Sequence, residues 1–237
     1  MHWEVPIHNF DYFLYGNTVL DSTFPFIHNP EGLVASVILA IFGIFGAFWL
    51  GLAAGLMRLS KKWWVKYPAV CYIEMIRGMP LLLLIFWFYY LAPVITGQTM
   101  PAFTTTMFCF MFFTGAYVGE IVRAGVIALP KGQMEAARST GLSHFQAMQL
   151  IILPQALRNM IPSFVNQFVS LTKDTSLAAI LGVIELTRTG VQVNNRDMAS
   201  FEVWITIACL YFMICYVLTS YSRRLEAQLS RYQARDR

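Results

Sequence analysis

The sequence predicts an all-α integral membrane protein with five transmembrane helices. Apolar runs recur at the length, about 20 helical residues, that crosses a hydrocarbon core about 30 Å thick. Charged residues make up only 13% of the chain, against roughly 25% in soluble domains. Those charges cluster between the runs instead of dotting every helix face. With 57% hydrophobic residues, 15% aromatic residues and a mean hydropathy of +0.55, a soluble protein with buried helices is the weaker reading.

Residues 1–32 form an expected extracytoplasmic segment of mixed composition. Pro6, Pro25 and Asn29-Pro30 interrupt it, so it suits interfacial turns or a short amphipathic element and does not span. No Lys or Arg precedes Arg58, whereas Glu4, Asp11, Asp21 and Glu31 do. A basic start followed by an apolar stretch and a small-residue cleavage site is therefore missing, and no cleaved signal peptide is expected.

The first expected span is 33–57, where Gly51 and Gly55 make a G-x-x-x-G pair suited to close helix approach. Arg58, Lys61, Lys62 and Lys66 follow it with Trp63, Trp64 and Tyr67, the anchoring pattern of a cytoplasmic boundary. The second span, 68–95, is interrupted at Gly78-Met79-Pro80, and the third is 102–121. The fourth, 159–184, is broken: a short polar part, 159–171, is followed after Lys173-Asp174-Thr175-Ser176 by an apolar continuation, 177–184. Irregular backbone at that depth is tolerated only where it lines a cavity or is buried in protein. The fifth span, 203–221, leads into a basic tail, 223–237, with Arg223, Arg224, Arg231, Arg235 and Arg237. Basic flanks after the first, third and fifth spans place the N-terminus outside and the C-terminus in the cytoplasm.

That topology puts the polar loop 130–154 in the cytoplasm. Pro130 suits the start of a short helix through Glu135, Ala136, Ala137 and Arg138. Gly141 falls where a helix end needs positive φ, and Ser143 can cap a second helix over 145–150. The loop contains E-A-A (Glu135, Ala136, Ala137), three residues, Gly141, nine residues, Ile151, one residue, then Leu153-Pro154.

This spacing resembles the cytoplasmic loop motif of the membrane subunits of ATP-binding-cassette importers. The chain from 33 to 221 is similar to the type I permease subunits of bacterial importers, and more narrowly to the polar amino-acid uptake family. Glu74-Met75-Ile76-Arg77-Gly78-Met79-Pro80 resembles that family's E-x-x-R-G-x-P segment. Glu120-Ile121-Val122-Arg123-Ala124-Gly125, Leu129-Pro130-Lys131-Gly132-Gln133 and Lys173-Asp174-Thr175-Ser176-Leu177 resemble further segments of it.

The resemblance implies a type I importer permease fold in the bacterial inner membrane. It also implies that Glu135, Ala136, Ala137, Gly141, Ile151, Leu153 and Pro154 couple the chain to a separate nucleotide-binding ATPase. ATP and Mg would be bound by that partner; this chain has no G-x-x-x-x-G-K-[ST] loop to cradle phosphates. The other implied partners are a second permease, identical or homologous, and an extracytoplasmic solute-binding protein, with an amino acid as substrate and the bilayer as surroundings.

Ionisable residues within spans are candidates for function because burying them is costly. Glu74 with Arg77, and Glu120 with Arg123, are three apart and so neighbours on a helix face, either as self-satisfied ion pairs or as path residues. Asn166, Gln167, Lys173, Asp174, Thr175 and Ser176 complete a candidate substrate path; Lys173 and Asp174 suit the two ends of a zwitterion, or neutralise one another at the outer boundary. Arg77 and Lys173 would suit an acidic amino acid, Glu74 and Asp174 a basic one, so the substrate is left open.

No catalytic residues and no metal cluster are expected. Cys71, Cys109, Cys209 and Cys215 lie in or beside apolar segments without a C-x-x-C pair and read as reduced packing residues. A net charge of +4 without an interleaved basic and aromatic surface argues against nucleic acid. The rival reading, a self-sufficient ion-coupled secondary transporter, wants an internal repeat that the sequence lacks.

Overall fold

The computed structural model describes residues 2–16 and 30–235, with side chains as far as 225. Two short helices come first, α1 (Glu4–His8) and α2 (Phe10–Tyr15), then the long α3 (Gly32–Arg58). α4 (Trp63–Arg77) and α5 (Leu81–Phe86) flank the break at Gly78-Met79-Pro80, and a π-helical turn, Trp87–Leu91, leads into α6 (Ala92–Thr96). α7 (Ala102–Ile127), α8 (Lys131–Ser139) and α9 (His144–Ala147) follow. A second π-helical turn, Met148–Ile152, opens into α10 (Leu153–Asp174), and a 3-10 turn, Thr175–Leu181, precedes α11 (Leu186–Asp197) and α12 (Ser200–Arg235). Among the described residues the only strand-like feature is a bridge between Gly32 and Glu185.

Both π-helical turns end two residues before a proline, Pro93 or Pro154. Proline has no N–H, so the carbonyl four residues earlier lacks its helical partner, and a widened turn absorbs the mismatch.

Among the described residues three helices are long and apolar enough to cross a bilayer: Gly32–Arg58, Ala102–Ile127 and Ser200–Leu225. Trp63–Arg77 with Leu81–Thr96 makes a fourth when the pair is taken as one broken span. α10, which carries the expected fourth span, is not among them; its polar residues leave it amphipathic. The helices also outrun the apolar stretches. α4 begins at Trp63, before the expected 68; α7 runs on to Ile127, and α12 continues to Arg235, so the basic tail is a helical extension. Backbone hydrogen bonding continues through Arg, Lys, Glu and Gln, all good helix formers.

The contacts divide the chain into two compact units. The first comprises Met1–Phe45, Pro80–Met111 and Phe168–Val217. Its core joins Phe13 of α2 to Leu186 and Val193 of α11, Ala199, and Val203, Ile207 and Leu210 of α12. Burying a Phe side chain stabilises by about 1.5–3 kcal/mol, so α2 is packed against α11 and α12, as one of two short helices in the expected N-terminal segment; residues 17–29 of that segment lie outside the described residues. Polar contacts close the same seam. The backbone N–H of His2 donates to the Glu202 carboxylate, Asn9 donates to Asp197 at 3.3 Å, Tyr12 donates to Gln192 at 2.7 Å, and Trp3 meets Phe201 edge-on at 6.3 Å.

Beneath that seam Glu185 is fully buried. Its carboxylate accepts from the backbone N–H groups of Thr187 and Arg188, both at 2.9 Å, from the Ser36 hydroxyl at 3.2 Å and from the Tyr211 hydroxyl at 2.7 Å. One side chain thus caps α11 and ties it to α3 and α12. Four donors offset part of the cost of burying this group.

The second unit comprises Gly46–Met79, Phe112–Gln167 and Leu218–Arg237. Here the G-x-x-x-G pair of α3 meets a matching ridge on α7. A Cβ on Gly51 would lie 2.5 Å from the Val118 side chain and 2.6 Å from the Gly115 carbonyl; one on Gly55 would lie 2.6 Å from the Gly119 carbonyl. Only bare Cα atoms allow this approach, the arrangement by which helices associate without a hydrophobic driving force. Tyr72 of α4 donates to the Phe112 carbonyl at 2.6 Å, and Phe48 packs edge-on against Phe164 at 5.7 Å.

Candidate functional site

α8 begins after Pro130, which sits outside the helix in an extended conformation as its N-cap. Met134 and Ala137 turn inward, while Glu135, Ala136, Arg138 and Ser139 are exposed. Glu135 forms no ion pair among the described residues. The helix stops where its last carbonyls are claimed locally: the Thr140 hydroxyl donates to Ala137 at 2.8 Å, and the N–H of Gly141 donates to Arg138 at 3.1 Å. Gly141 has φ +89 with open space around its Cα, so its requirement is conformational, not steric.

Ser143 then starts the next helix with a reciprocal capping box. Its hydroxyl accepts from Gln146 N–H at 3.2 Å, and its own N–H donates to the Gln146 side chain at 2.8 Å. Ile151 lies in the π-helical turn, and Leu153 and Pro154 open α10. Gln155 donates to the Ile151 carbonyl at 3.0 Å and reaches Gln133 of α8 at 3.4 Å. The motif residues are therefore one helix, a left-handed hinge and a capped second helix, with a small, bare outer face on α8.

In the same unit a charge network joins three helices. Arg58, at the end of α3, contacts Glu120 of α7 at 2.8 Å and Glu74 of α4 at 2.5 Å, and Arg123 contacts Glu120 through Nε at 2.9 Å. The Glu120–Arg123 pair forms as its spacing predicts. Glu74 and Arg77 do not pair: Glu74 goes to Arg58, and the Arg77 guanidinium lies 5.5 Å from the centre of the Tyr117 ring. A spacing of three puts two side chains on one helix face, but a neighbouring helix offering a closer partner decides where each goes. Arg58, read from sequence only as a boundary anchor, is the hub; its position directly after a glycine-ridged helix was the available signal.

Of the remaining candidate path residues, Asn166 is exposed and Gln167 half-buried on α10 in this unit. Lys173, Asp174, Thr175 and Ser176 belong to the first unit, at the end of α10. Lys173 is exposed and Asp174 half-buried, with no ion pair between them among the described residues. Thr175 is fully buried, and its hydroxyl is committed to the Thr172 carbonyl at 2.8 Å.

The first unit also holds an open polar cleft of about 520 Å³ lined by Glu4, His8, Asn9, Arg196 and Asp197. Hydrogen bonding from Arg196 holds the Asp197 carboxyl below the usual range, and burial pushes the Tyr12 hydroxyl up. Sequence reasoning missed this cleft and the Glu185 junction. An isolated carboxylate directly before a helical segment was the one local cue to Glu185.

A helical chain with several helices long and apolar enough to cross a bilayer, and a capped helix–hinge–helix between two of its long helices, has the make-up of a multi-pass membrane protein. The chain belongs to the family described as binding-protein-dependent transport system inner membrane component, which matches residues 32–231; it is a multi-pass protein of the bacterial inner membrane. It is 34% identical over 200 residues to the glutamine transport system permease protein GlnP of Escherichia coli (strain K12), covering 84% of this chain and 91% of that protein. It is 36% identical over 205 residues to the L-cystine transport system permease protein TcyB of Bacillus subtilis (strain 168), covering 86% and 87%. Among solved structures, an amino acid ABC transporter crystallised with histidines superposes with a TM-score of 0.77 at 34% identity, over 83% of this chain and 92% of that one. The MetNI methionine ABC transporter shares the fold, with a TM-score of 0.72 at 17% identity, over 82% and 93%.

Proposed function

We propose that this chain carries a polar amino acid across the membrane as the permease subunit of an ATP-driven importer, with α8 as the element that couples it to a separate ATPase subunit. The observation that carries the reading is the α8 geometry. A short helix with a bare Glu135–Ala136 face, ended by a left-handed glycine and backed by Gln155, moves as a unit when pushed. Nucleotide binding on the partner would supply the bias between inward and outward access, and ATP with Mg would reside there. In this reading the chain crosses five times, with α10 as the fourth span, the N-terminus outside and the C-terminus inside. Amphipathic α10 would line the path, and Glu74, Arg77, Asn166, Gln167, Lys173, Asp174, Thr175 and Ser176 are its proposed polar groups. A second permease, identical or homologous, would complete the path, and an extracytoplasmic binding protein would deliver substrate. The names of the relatives support glutamine-like or cystine-like amino acids as the class.

The test is copurification with the ATPase followed by ATP-dependent uptake of a panel of amino acids in vesicles. Glu135→Lys and Gly141→Val are expected to insert normally and lose coupled uptake, the first through reversed charge and the second through a β-branched residue forced to φ +89. Wild-type uptake in both variants, or uptake by the chain alone under an ion gradient, overturns the assignment.

A further inference from the structure

We propose that the turn between α3 and α4, with the first two turns of α4, binds the headgroup of an anionic phospholipid in the leaflet at that end of α3. Residues 59–73 contain no Asp or Glu and carry Lys61, Lys62 and Lys66. Lys62 and Lys66 are four apart and so share a helix face, and Trp63 and Tyr67 share the adjoining face. The Trp63 and Tyr67 rings meet edge-on at 6.5 Å, and the Lys62 ammonium lies 5.4 Å from the centre of the Trp64 ring. Despite these contacts, Trp63, Trp64 and Tyr67 are 71%, 60% and 65% exposed.

The lysines have no acidic partner among the described residues. None of the three forms an ion pair among the described residues, and the carboxylate that follows on α4, Glu74, is held by Arg58. The first turn of α4 contains no acidic residue, and its N-cap makes no side-chain hydrogen bond. Three ammonium groups without an ion-pair partner among the described residues therefore border three largely exposed aromatic rings where a 27-residue apolar helix ends.

Bulk water satisfies the ammonium groups but not the rings, and the hydrocarbon core does the reverse. A lipid at the interface satisfies both: rings settle at headgroup depth, and lysines reach outward to phosphate. The charge selects among lipids. A zwitterionic headgroup brings a cation of its own into a cluster of three lysines, whereas a net-anionic headgroup does not.

Native mass spectrometry of the complex purified with its partner subunits, in micelles doped equally with phosphatidylglycerol and phosphatidylcholine, reads the preference directly. The wild-type complex is expected to retain phosphatidylglycerol selectively. Each Lys→Gln change at 61, 62 or 66 is expected to lower that selectivity about fivefold, the attraction of one basic residue for an anionic surface. The corresponding Lys→Arg changes should retain it, which separates charge from misfolding. Brominated phosphatidylglycerol should quench tryptophan fluorescence more than brominated phosphatidylcholine, and a Trp63→Phe, Trp64→Phe variant should lose most of that difference. Equal retention of the two lipids by wild type, unchanged selectivity in the triple Lys→Gln variant, or displacement by soluble glycerol phosphate overturns the proposal. So does loss of a partner subunit from the triple variant without a change in lipid retention, because the surface would then serve a protein.

Discussion

Replacing Gly51 or Gly55 by alanine tests the packing of the second unit at its tightest point. The added Cβ would lie 2.6 Å from a backbone carbonyl oxygen at either position, of Gly115 or of Gly119. Ordinary contact begins near 3.4 Å, so α3 and α7 must part by about 0.8 Å, a gap that forfeits a quarter to a half of each dispersion contact along the seam. Overpacking of this kind costs about 1–3 kcal/mol. The obstacle includes backbone, which sharpens the expectation: Val118→Ala or Val122→Ala removes only the Cγ contacts and leaves the Cβ of that residue and the carbonyls in place, and so does not rescue Gly51→Ala or Gly55→Ala. Gly43→Ala is the graded control, because its Cβ would meet the tip of Leu171 at 3.1 Å, an atom able to turn aside. Titration with a denaturing detergent, followed by helical circular dichroism, measures the order. Stability of Gly55→Ala equal to wild type, or full rescue by Val122→Ala, would refute the close backbone approach.

Arg58→Ala leaves two carboxylates without their shared cation, and with side chains only 16% (Arg58) and 21% (Glu120) exposed the loss is expected near 2 kcal/mol, between the values for surface and buried pairs. Glu74→Gln, at a more exposed position, should cost well under half of that in the same detergent titration. Glu185→Leu strands two backbone N–H groups and the Ser36 and Tyr211 hydroxyls, so it should destabilise far more than Tyr211→Phe, which at about 1 kcal/mol removes a single donor. The N-terminal seam should weaken in acid. Asp197 has a lowered carboxyl pKa in the folded protein, so its contribution is present above the ordinary Asp range and is lost as pH falls through the depressed value. Limited proteolysis of residues 2–16 across pH should follow that loss in wild type and be less pH-dependent in Asp197→Asn.

The sequence alone determined whatever depends on neighbours along the chain. Run length and charge spacing gave helices of membrane length, because the hydrocarbon core sets a length that composition either meets or misses. The loop was equally local: Gly141 takes positive φ and Ser143 closes its capping box because both requirements lie within four residues of backbone. The tertiary structure decided what depends on neighbours across helices. Glu74 and Arg77 shared a face as their spacing required, yet Arg58 and Tyr117 on other helices took them. Gly51 and Gly55 announced a close approach, but the identity of the facing ridge, Gly115 and Gly119, required α7 to be in place. Phe13 and Glu185 show the same limit. Neither position reveals its partners in its own segment: Phe13 is buried by packing against α11 and α12, and Glu185 by groups from α3, α11 and α12. Local sequence fixes which groups a helix presents; free energy is decided by which partner arrives within contact distance, and that is a property of the packed chain.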